Sequence, residues 1–356
     1  MMELKFNTVG IDRIKLVCFD INIVNLNKLY TGAEILESTM YKREYRIDDQ
    51  VIELGTMFIR DPLFKMNAGV RITKVGSKIP YQILEINPSK IIYGSNINNI
   101  NDVEEFKLAI EVVEQKLREY GLEVQLYSSI IEEIEINNNI KLKEHFSRYK
   151  NVFELIKSVL PKTLVKGASF DNRQVADYTG FKLENTQLSL KFYDKLVEQN
   201  INDEFSILRI EYTFFNRNKV KDILGINTVD DLVKNFMVLD KAYDKLIEKH
   251  IVNKIDKKLN DLKQLSIKNL ISCHKKERYY INYLLATTQN ESIFDSRVIE
   301  AAVSELKISK ANKSERRKEI RKLLMERETN GNCIFFNNVE RINEIIYSLG
   351  FKKINI

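Results

Sequence analysis

The chain has 356 residues, of which 44% are hydrophobic and 30% charged, and 56 Lys and Arg against 50 Asp and Glu give a net charge of +6. That size buries a large core and suits two domains, while the composition excludes wholesale disorder. No apolar run approaches the roughly 18 residues that a membrane span needs, and the modest positive charge permits a nucleic-acid partner without requiring one.

The amino end, M-M-E-L-K-F-N, lacks a charged-then-apolar leader, so a non-secreted, cytoplasmic protein is expected. Cys18, Cys273 and Cys333 are odd in number, far apart and without C-x-x-C spacing, which fits free thiols in a reducing compartment. His145, His250 and His274 are the only histidines, and neither H-x-H nor H-E-x-x-H occurs. Histidine-based metal chemistry is therefore nearly excluded, and Cys273-His274 has no partner at ligand spacing.

In chain order, residues 1–80 read as strands and turns. I-D-R-I-K-L-V-C-F-D-I (11–21) alternates at first and then runs apolar. Tyr41–Arg46 and Val51–Arg60 flank D-D-Q as a hairpin, and Ala68–Lys74 with Ile79–Asn87 form a second around V-G-S-K. In Y-Q-I-L-E-I-N-P-S-K (81–90), Leu84 and Ile86 face one way and Glu85 the other, and Pro88 ends the strand before a Gly- and Asn-rich loop. Asp102 and Glu105 resemble a capping box for a helix whose stripe is Val103, Phe106, Ala109, Ile110, Val113, Leu117 and Tyr120, stopped by Gly121.

Leu122–Asn137 returns as a strand with Glu133 and Glu135 on one face, and Ile140–Leu160 reads as an amphipathic helix ended by Pro161. Thr163–Ala176 is a strand with a turn at D-N-R. In Q-L-S-L-K-F-Y-D-K (187–195), Leu188, Leu190 and Phe192 share one face, and Ser189, Lys191, Tyr193 and Lys195 the other. Phe205–Phe215 places Leu208, Ile210, Tyr212 and Phe214 opposite Arg209, Glu211 and Thr213, and a short helix, 216–224, stops at Gly225. From Thr228 a long helix begins, and helical pattern dominates to about Glu328 before a short strand (333–338) and a last helix around 339–349.

The order predicts an α+β fold, an antiparallel sheet with helices on one face, over a first domain of 1–227, followed by a mainly helical domain of 228–356. With the apolar strand faces packed on helices, the opposite face carries Glu85, Glu133, Glu135, Tyr193, Lys195, Arg209 and Glu211 together. Ordinary exposed strands with cross-strand ion pairs, each worth under about 1 kcal/mol, explain such a face without any chemistry. A chemical reading also exists. Carboxylates are the hard oxygen ligands that hold Mg²⁺ or Mn²⁺, such an ion polarises a phosphodiester, and a tyrosine can attack the phosphorus. A phenol of pKa about 10 is a poor nucleophile, and a cation such as Lys195 beside Tyr193 would favour its phenolate.

Four segments resemble a family. L-E-I-N-P-S-K-I-I-Y-G-S-N (84–96), I-I-E-E-I-E-I-N (130–137), L-S-L-K-F-Y-D-K-L-V-E (188–198) and L-R-I-E-Y-T-F-F-N-R-N-K-V-K-D-I-L-G-I (208–226) are similar in order and separation to segments of the rolling-circle replication initiators of filamentous phages, the gene II type. That group is related to Gram-positive plasmid initiators. The resemblance covers about 80–230 and implies an HUH-nickase-like fold acting on DNA in phage or plasmid replication. It implies Tyr193 as nucleophile with Lys195 beside it, Arg209 on a phosphate oxygen, and Glu85, Glu135 and Glu211 as ligands of Mg²⁺ or Mn²⁺. The family's Val-Glu-Ile strand corresponds to Glu85 and its Arg-x-Glu to Arg209 and Glu211. Its Arg-Ile-Asp strand becomes Glu133-Ile134-Glu135, a departure at both ends, and no histidine pair is present.

The implied reaction is attack by Tyr193 on one strand of an origin, leaving the 5′ phosphate on the protein and a free 3′ hydroxyl to prime synthesis. Host helicase and polymerase would be partners, and no membrane is involved. The alternatives are a relaxase or transposase of the same chemistry, or a non-catalytic DNA-binding protein on the same fold. Tyr178 reads as a turn tyrosine rather than a second nucleophile. Arg316, Arg317, Lys318, Arg321 and Lys322 suit either a DNA backbone or a solvated helix face, and Tyr279-Tyr280 suits a helix core.

Overall fold

The computed structural model describes residues 4–19, 21–36, 42–47, 50–72, 78–161, 164, 166–172, 177–201, 205–258, 303–304, 308–318 and 336–353. The strands are β1 (Val9–Val17), β2 (Ile21–Ile23), β3 (Glu34–Leu36), β4 (Arg43–Ile47), β5 (Gln50–Leu54), β6 (Thr56–Arg60), β7 (Phe64–Ile72), β8 (Lys78–Ile86), β9 (Leu122–Val124), β10 (Ile130–Lys141), β11 (Lys166–Asn172), β12 (Asp177–Glu184), β13 (Leu188–Asp194) and β14 (Ile207–Phe214). Among the described residues ten of them form one antiparallel sheet, in the order β11-β12-β13-β14-β10-β1-β8-β7-β6-β3. β2 pairs with β9 and β4 with β5 in two small separate sheets. The class is α+β.

Alternation decides which face of this sheet is dry. Ile14, Leu16, Leu84, Ile86, Ile134, Ile136, Leu190, Phe192, Ile210, Tyr212 and Phe214 are all buried. The register pairs Ile134 with Phe214, Ile136 with Tyr212, and Leu190 with Tyr212, so these side chains share one face. Each contributes about 1.5–3 kcal/mol by leaving water. Helix α8 (Val238–Ile247) lies over this face. Its Tyr243 meets Tyr212 edge-on at 5.8 Å and donates its hydroxyl to the Ile210 carbonyl at 3.0 Å.

The 103–119 helix, α3 (Val103–Glu119), forms as its stripe predicts and buries Phe106, Ala109, Ile110, Val113 and Leu117. Asp102 caps it by accepting from the amides of Glu104 and Glu105 at 2.8 and 3.1 Å. Glu105 does not complete a capping box. Its carboxylate instead takes the Tyr93 hydroxyl at 2.6 Å and the Lys5 ammonium at 3.0 Å. The reciprocal box occurs at Thr228 and Asp231, opening α7 (Val229–Lys234).

Several local expectations change. Pro88 does more than end β8, because Asn87 caps a helix, α2 (Pro88–Tyr93), with Pro88 in its first turn. The strand predicted over 122–137 is two strands separated by residues 125–129, and β10 runs on to Lys141, so 140–149 is not helical apart from the 3-10 turn Phe146–Tyr149. A helix, α4 (Lys150–Val159), follows. The long helix after Thr228 is interrupted at Asn235 between α7 and α8. Residues 336–338 begin a helix, Phe336–Ser348, where a strand was expected. Tyr178 lies in β12 rather than in a turn.

Chain contacts resolve two units, Met1–Lys143 with Lys162–Lys245, and Glu144–Pro161 with Leu246–Ile356. Relative to a division at 227, α7 and most of α8 stay with the sheet, and α4 belongs to the second unit. Within that unit Tyr149 donates its hydroxyl to Glu344 at 2.8 Å, and Arg341 donates to Glu144 at 2.6 Å. Arg316, Arg317 and Lys318 lie in a helical stretch at 310–318, and Arg317 donates to the Ser304 hydroxyl at 2.9 Å. Cys273, His274, Tyr279, Tyr280, Arg321, Lys322 and Cys333 lie outside the described residues. No helix among the described residues is long and apolar enough to cross a membrane.

Two predictions follow from the packing of the sheet unit. Gly180 sits opposite Tyr193 with φ +142°, and a Cβ there would lie 2.1 Å from the Phe192 carbonyl oxygen. Gly180→Ala should therefore cost about 2–4 kcal/mol in urea unfolding, since backbone conformation and contact both oppose it. Burial pushes the Cys18 thiol up to about 11. Site-resolved mass spectrometry of native protein treated with iodoacetamide at pH 8 should find Cys18 unmodified, and modification should appear on adding denaturant.

Candidate active site

The second face of the central strands carries the polar residues, and Asp12, Glu135, Arg209 and Glu211 on it are buried. β1 contains a bulge, because its register against β10 passes from Ile11–Ile136 to Arg13–Glu135 and leaves Asp12 as the extra residue. The bulge sets two consecutive polar side chains at this face. Asp12 accepts from Arg209 at 3.3 Å and from Asn87 at 3.4 Å. Arg13 ion-pairs with Glu133 and lies 3.6 Å from both Glu85 and Glu135.

Asp12, Glu135 and Glu211, from β1, β10 and β14, each bring a carboxylate oxygen within 4.8 Å of the others, and all three are buried. Glu211 receives the Tyr193 hydroxyl at 2.9 Å and ion-pairs with Lys191. Glu135 receives the Thr213 hydroxyl at 3.0 Å, and the Lys191 ammonium stands 3.5 Å away. The three negative charges thus face three cations, Arg13, Lys191 and Arg209. A set of hard, anionic oxygens of this kind fits Mg²⁺ or Mn²⁺.

Arg209 is fully buried, and its guanidinium is shared among four acceptors. These are Asn139 Oδ1 at 2.8 Å, Asp12 at 3.3 Å, the Ile97 carbonyl at 2.5 Å and Asn99 Oδ1 at 3.1 Å. It therefore ties β14 to β10, to the β1 bulge and to the segment that follows α2.

The predicted residues fare differently. Glu135 and Glu211 belong to the carboxylate cluster, whereas Glu85 stands outside it, partly exposed and held by Arg13. Asp12 takes the third place. Its sequence signal is the pair Asp12-Arg13 between Ile11 and Ile14, two polar residues where strict alternation allows one. Lys195 is not on the strand, because β13 ends at Asp194 and Lys195 opens a single helical turn, α5 (Lys195–Glu198), capped by the Asp194 side chain. Its ammonium still lies 5.7 Å from the centre of the Tyr193 ring and ion-pairs with Glu198 at 2.7 Å.

Burial governs the electrostatics. It pushes the Tyr193 phenol well above its ordinary range, and the negative charge of Glu211 pushes the same way. The expectation that Lys195 brings out a phenolate is therefore corrected. Burial, and next the charge of Arg209, lowers Lys195 itself. Burial raises Asp12 against the pull of Arg209. Burial and then the charge of Glu211 raise Glu135, against Lys191 and Arg13.

No protein-family model matches the sequence, and no curated protein matches it. Among solved structures, 68% of the chain is similar to 85% of a rolling circle replication initiator protein from Geobacillus stearothermophilus, at 11% identity and a TM-score of 0.34. An equal share is similar to 98% of the di-domain ARO/CYC StfQ from the steffimycin biosynthetic pathway, at 9% identity and a TM-score of 0.18. At scores this low neither likeness carries an argument about this chain.

The geometry around Arg209 makes a stability prediction. Arg209→Ala leaves Asp12 buried without its partner and should cost about 3–5 kcal/mol in urea unfolding. Arg209→Lys should recover little of this, because one ammonium cannot reach the four acceptors that the three guanidinium nitrogens reach.

Proposed function

We propose that this protein is a metal-dependent tyrosine DNA nickase that cuts one strand of a phage or plasmid origin and starts rolling-circle replication. The observation that carries the reading is the 2.9 Å hydrogen bond from the Tyr193 hydroxyl to Glu211, a member of the three-carboxylate cluster. A nucleophile touching one carboxylate of an ion site is what phosphodiester transfer needs. The sequence resemblance independently puts its nucleophile at Tyr193.

Asp12, Glu135 and Glu211 would hold the ion. When bound, Mg²⁺ or Mn²⁺ polarises the phosphodiester and offsets its charge. Tyr193 Oη forms the bond to phosphorus, and its proton passes to Glu211. The bond from phosphorus to the 3′ oxygen breaks, and that oxygen takes a proton from water. The 5′ phosphate stays on Tyr193 as a phosphodiester, so the later joining step needs no ATP. Arg209 positions Asp12, and its bonds to the neutral oxygens of Ile97 and Asn99 are the ones a phosphate oxygen would replace. DNA is the partner at this site, helicase and polymerase would act on the exposed strand, and the second unit would have a DNA-binding or accessory role.

One observation favours a second reading, a non-catalytic DNA-binding protein on the same fold. Tyr193 is only 9% exposed, and its phenol is held protonated. A strand reaches this hydroxyl only if a neighbouring segment opens. A relaxase or transposase would share the adduct but differ in the DNA it joins.

The test uses labelled single-stranded oligonucleotides from a candidate origin, with Mn²⁺, and denaturing gels. The wild type should form a covalent adduct, and Tyr193→Phe should lose it at least about a hundredfold while losing only about 1 kcal/mol of stability. Equal adduct from the variant would remove Tyr193 as nucleophile. Absence of nicking by either protein, with retained DNA binding, favours the second reading.

A further inference from the structure

The cation already standing between Glu135 and Glu211 is Lys191. Its ammonium ion-pairs with Glu211 Oε1 and lies 3.5 Å from Glu135 Oε2. A divalent ion bridging these carboxylates would occupy the same place. Two cations cannot share it, since like charges a few ångströms apart in a buried site repel strongly. Resting on the reading of the cluster as the divalent site, we propose that Lys191 is a tethered stand-in for the metal, and that metal binding is an exchange in which its ammonium leaves.

The surroundings suit an exchange. The Lys191 side chain is 25% exposed, whereas those of Glu135 and Glu211 are 7% and 1% exposed. The lysine therefore has a path to water along its flexible stem, while the carboxylates stay fixed. Arg13, 3.6 Å from Glu135, keeps Glu133 and Glu85 as partners when an ion takes over that carboxylate.

An independent observation points to a ligand at this face. Asn137 is the cross-strand neighbour of Glu211 and stands two residues from Glu135, so its side chain is on the same face. It is fully buried, and neither its Oδ1 nor its Nδ2 has a hydrogen-bond partner. Leaving a buried amide unpaired costs about 1–3 kcal/mol. An ion or its bound water would supply the missing partner, with the Asn137 carbonyl oxygen as a further hard ligand. The stand-in explains how the carboxylates are buried together before any metal arrives, and it makes weak metal affinity a built-in property.

Calorimetric titration with MnCl₂ tests the exchange on the full chain. Lys191→Met should bind Mn²⁺ at least about tenfold more tightly than wild type. Adding Glu211→Gln to that variant should abolish the gain, which locates it at this site. Should Lys191→Met fail to fold without metal, Lys191→Gln serves in its place, and MnCl₂ should raise its melting temperature more than that of wild type. Equal or weaker Mn²⁺ binding by the lysine variants, or no binding by any of the proteins, overturns the proposal. The adduct assay separates this from the nickase reading. An adduct with no tightening leaves the nickase and removes the exchange, while tightening with no adduct does the reverse.

Discussion

Three carboxylates cannot be buried within 4.8 Å of one another unless cations are buried with them. That constraint organises the polar side of the sheet. Asp12 is matched by Arg209 from β14, Glu211 by Lys191 from β13, and Glu135 by Lys191 and Arg13 together. Every matching contact crosses from one strand to another, so the charges report on register. A one-residue slip of β14 would turn Arg209 and Glu211 into the apolar face and bring Ile210 and Tyr212 out of it. Buried ion pairs of this kind add little net stability compared with apolar residues of similar shape. Their effect is to make the wrong alignments far worse than the right one.

The same constraint shapes the chemistry. Burial of Tyr193 within the polar face holds its phenol in the neutral form. Glu211 accepts the Tyr193 hydroxyl, so under the proposed activity a proton acceptor would already be in contact with the nucleophile. The acceptor is itself held by Lys191 through its other oxygen. Lys191, Glu211 and Tyr193 thus form one hydrogen-bonded chain. Under the two proposals, cation exchange at the cluster and deprotonation of the tyrosine would act on that same chain.

Much of this sheet is legible in the sequence because alternation is a strong signal. In 188–194 and 207–214 the period of two separates Tyr193, Arg209 and Glu211 from Leu190, Phe192, Ile210 and Tyr212 without any knowledge of neighbouring strands. What alternation hides is a bulge. Asp12 reads as an ordinary polar residue of an irregular segment, and only the pairing of β1 with β10 reveals that it joins Glu135 and Glu211. Periodicity fails at strand ends for a related reason. Lys195 continues the pattern of 187–195, but Asp194 is a helix cap, and a local side-chain bond to two backbone amides outweighs the preference to extend. The stretch from Ile140 has an apolar spacing that suits a helix, yet β10 runs on through Lys141 because β14 offers it backbone partners as far as Ile207.

Burial of the polar face is the feature that no strand pattern displays, since a half-polar strand reads as half-solvated. Here the segment after α2 closes over Arg209, and its Ile97 carbonyl and Asn99 Oδ1 accept from the guanidinium. Those two acceptors are neutral oxygens, whereas the other side of the same guanidinium meets the Asp12 carboxylate. A phosphate oxygen carries full charge and makes a stronger bond to a guanidinium than a neutral oxygen does. Under the proposed activity, an incoming strand would therefore compete with Ile97 and Asn99 for Arg209 without disturbing its hold on Asp12 and Asn139. The cover and the substrate would be alternatives at one side chain, while the bonds that set the carboxylate cluster persist through the exchange.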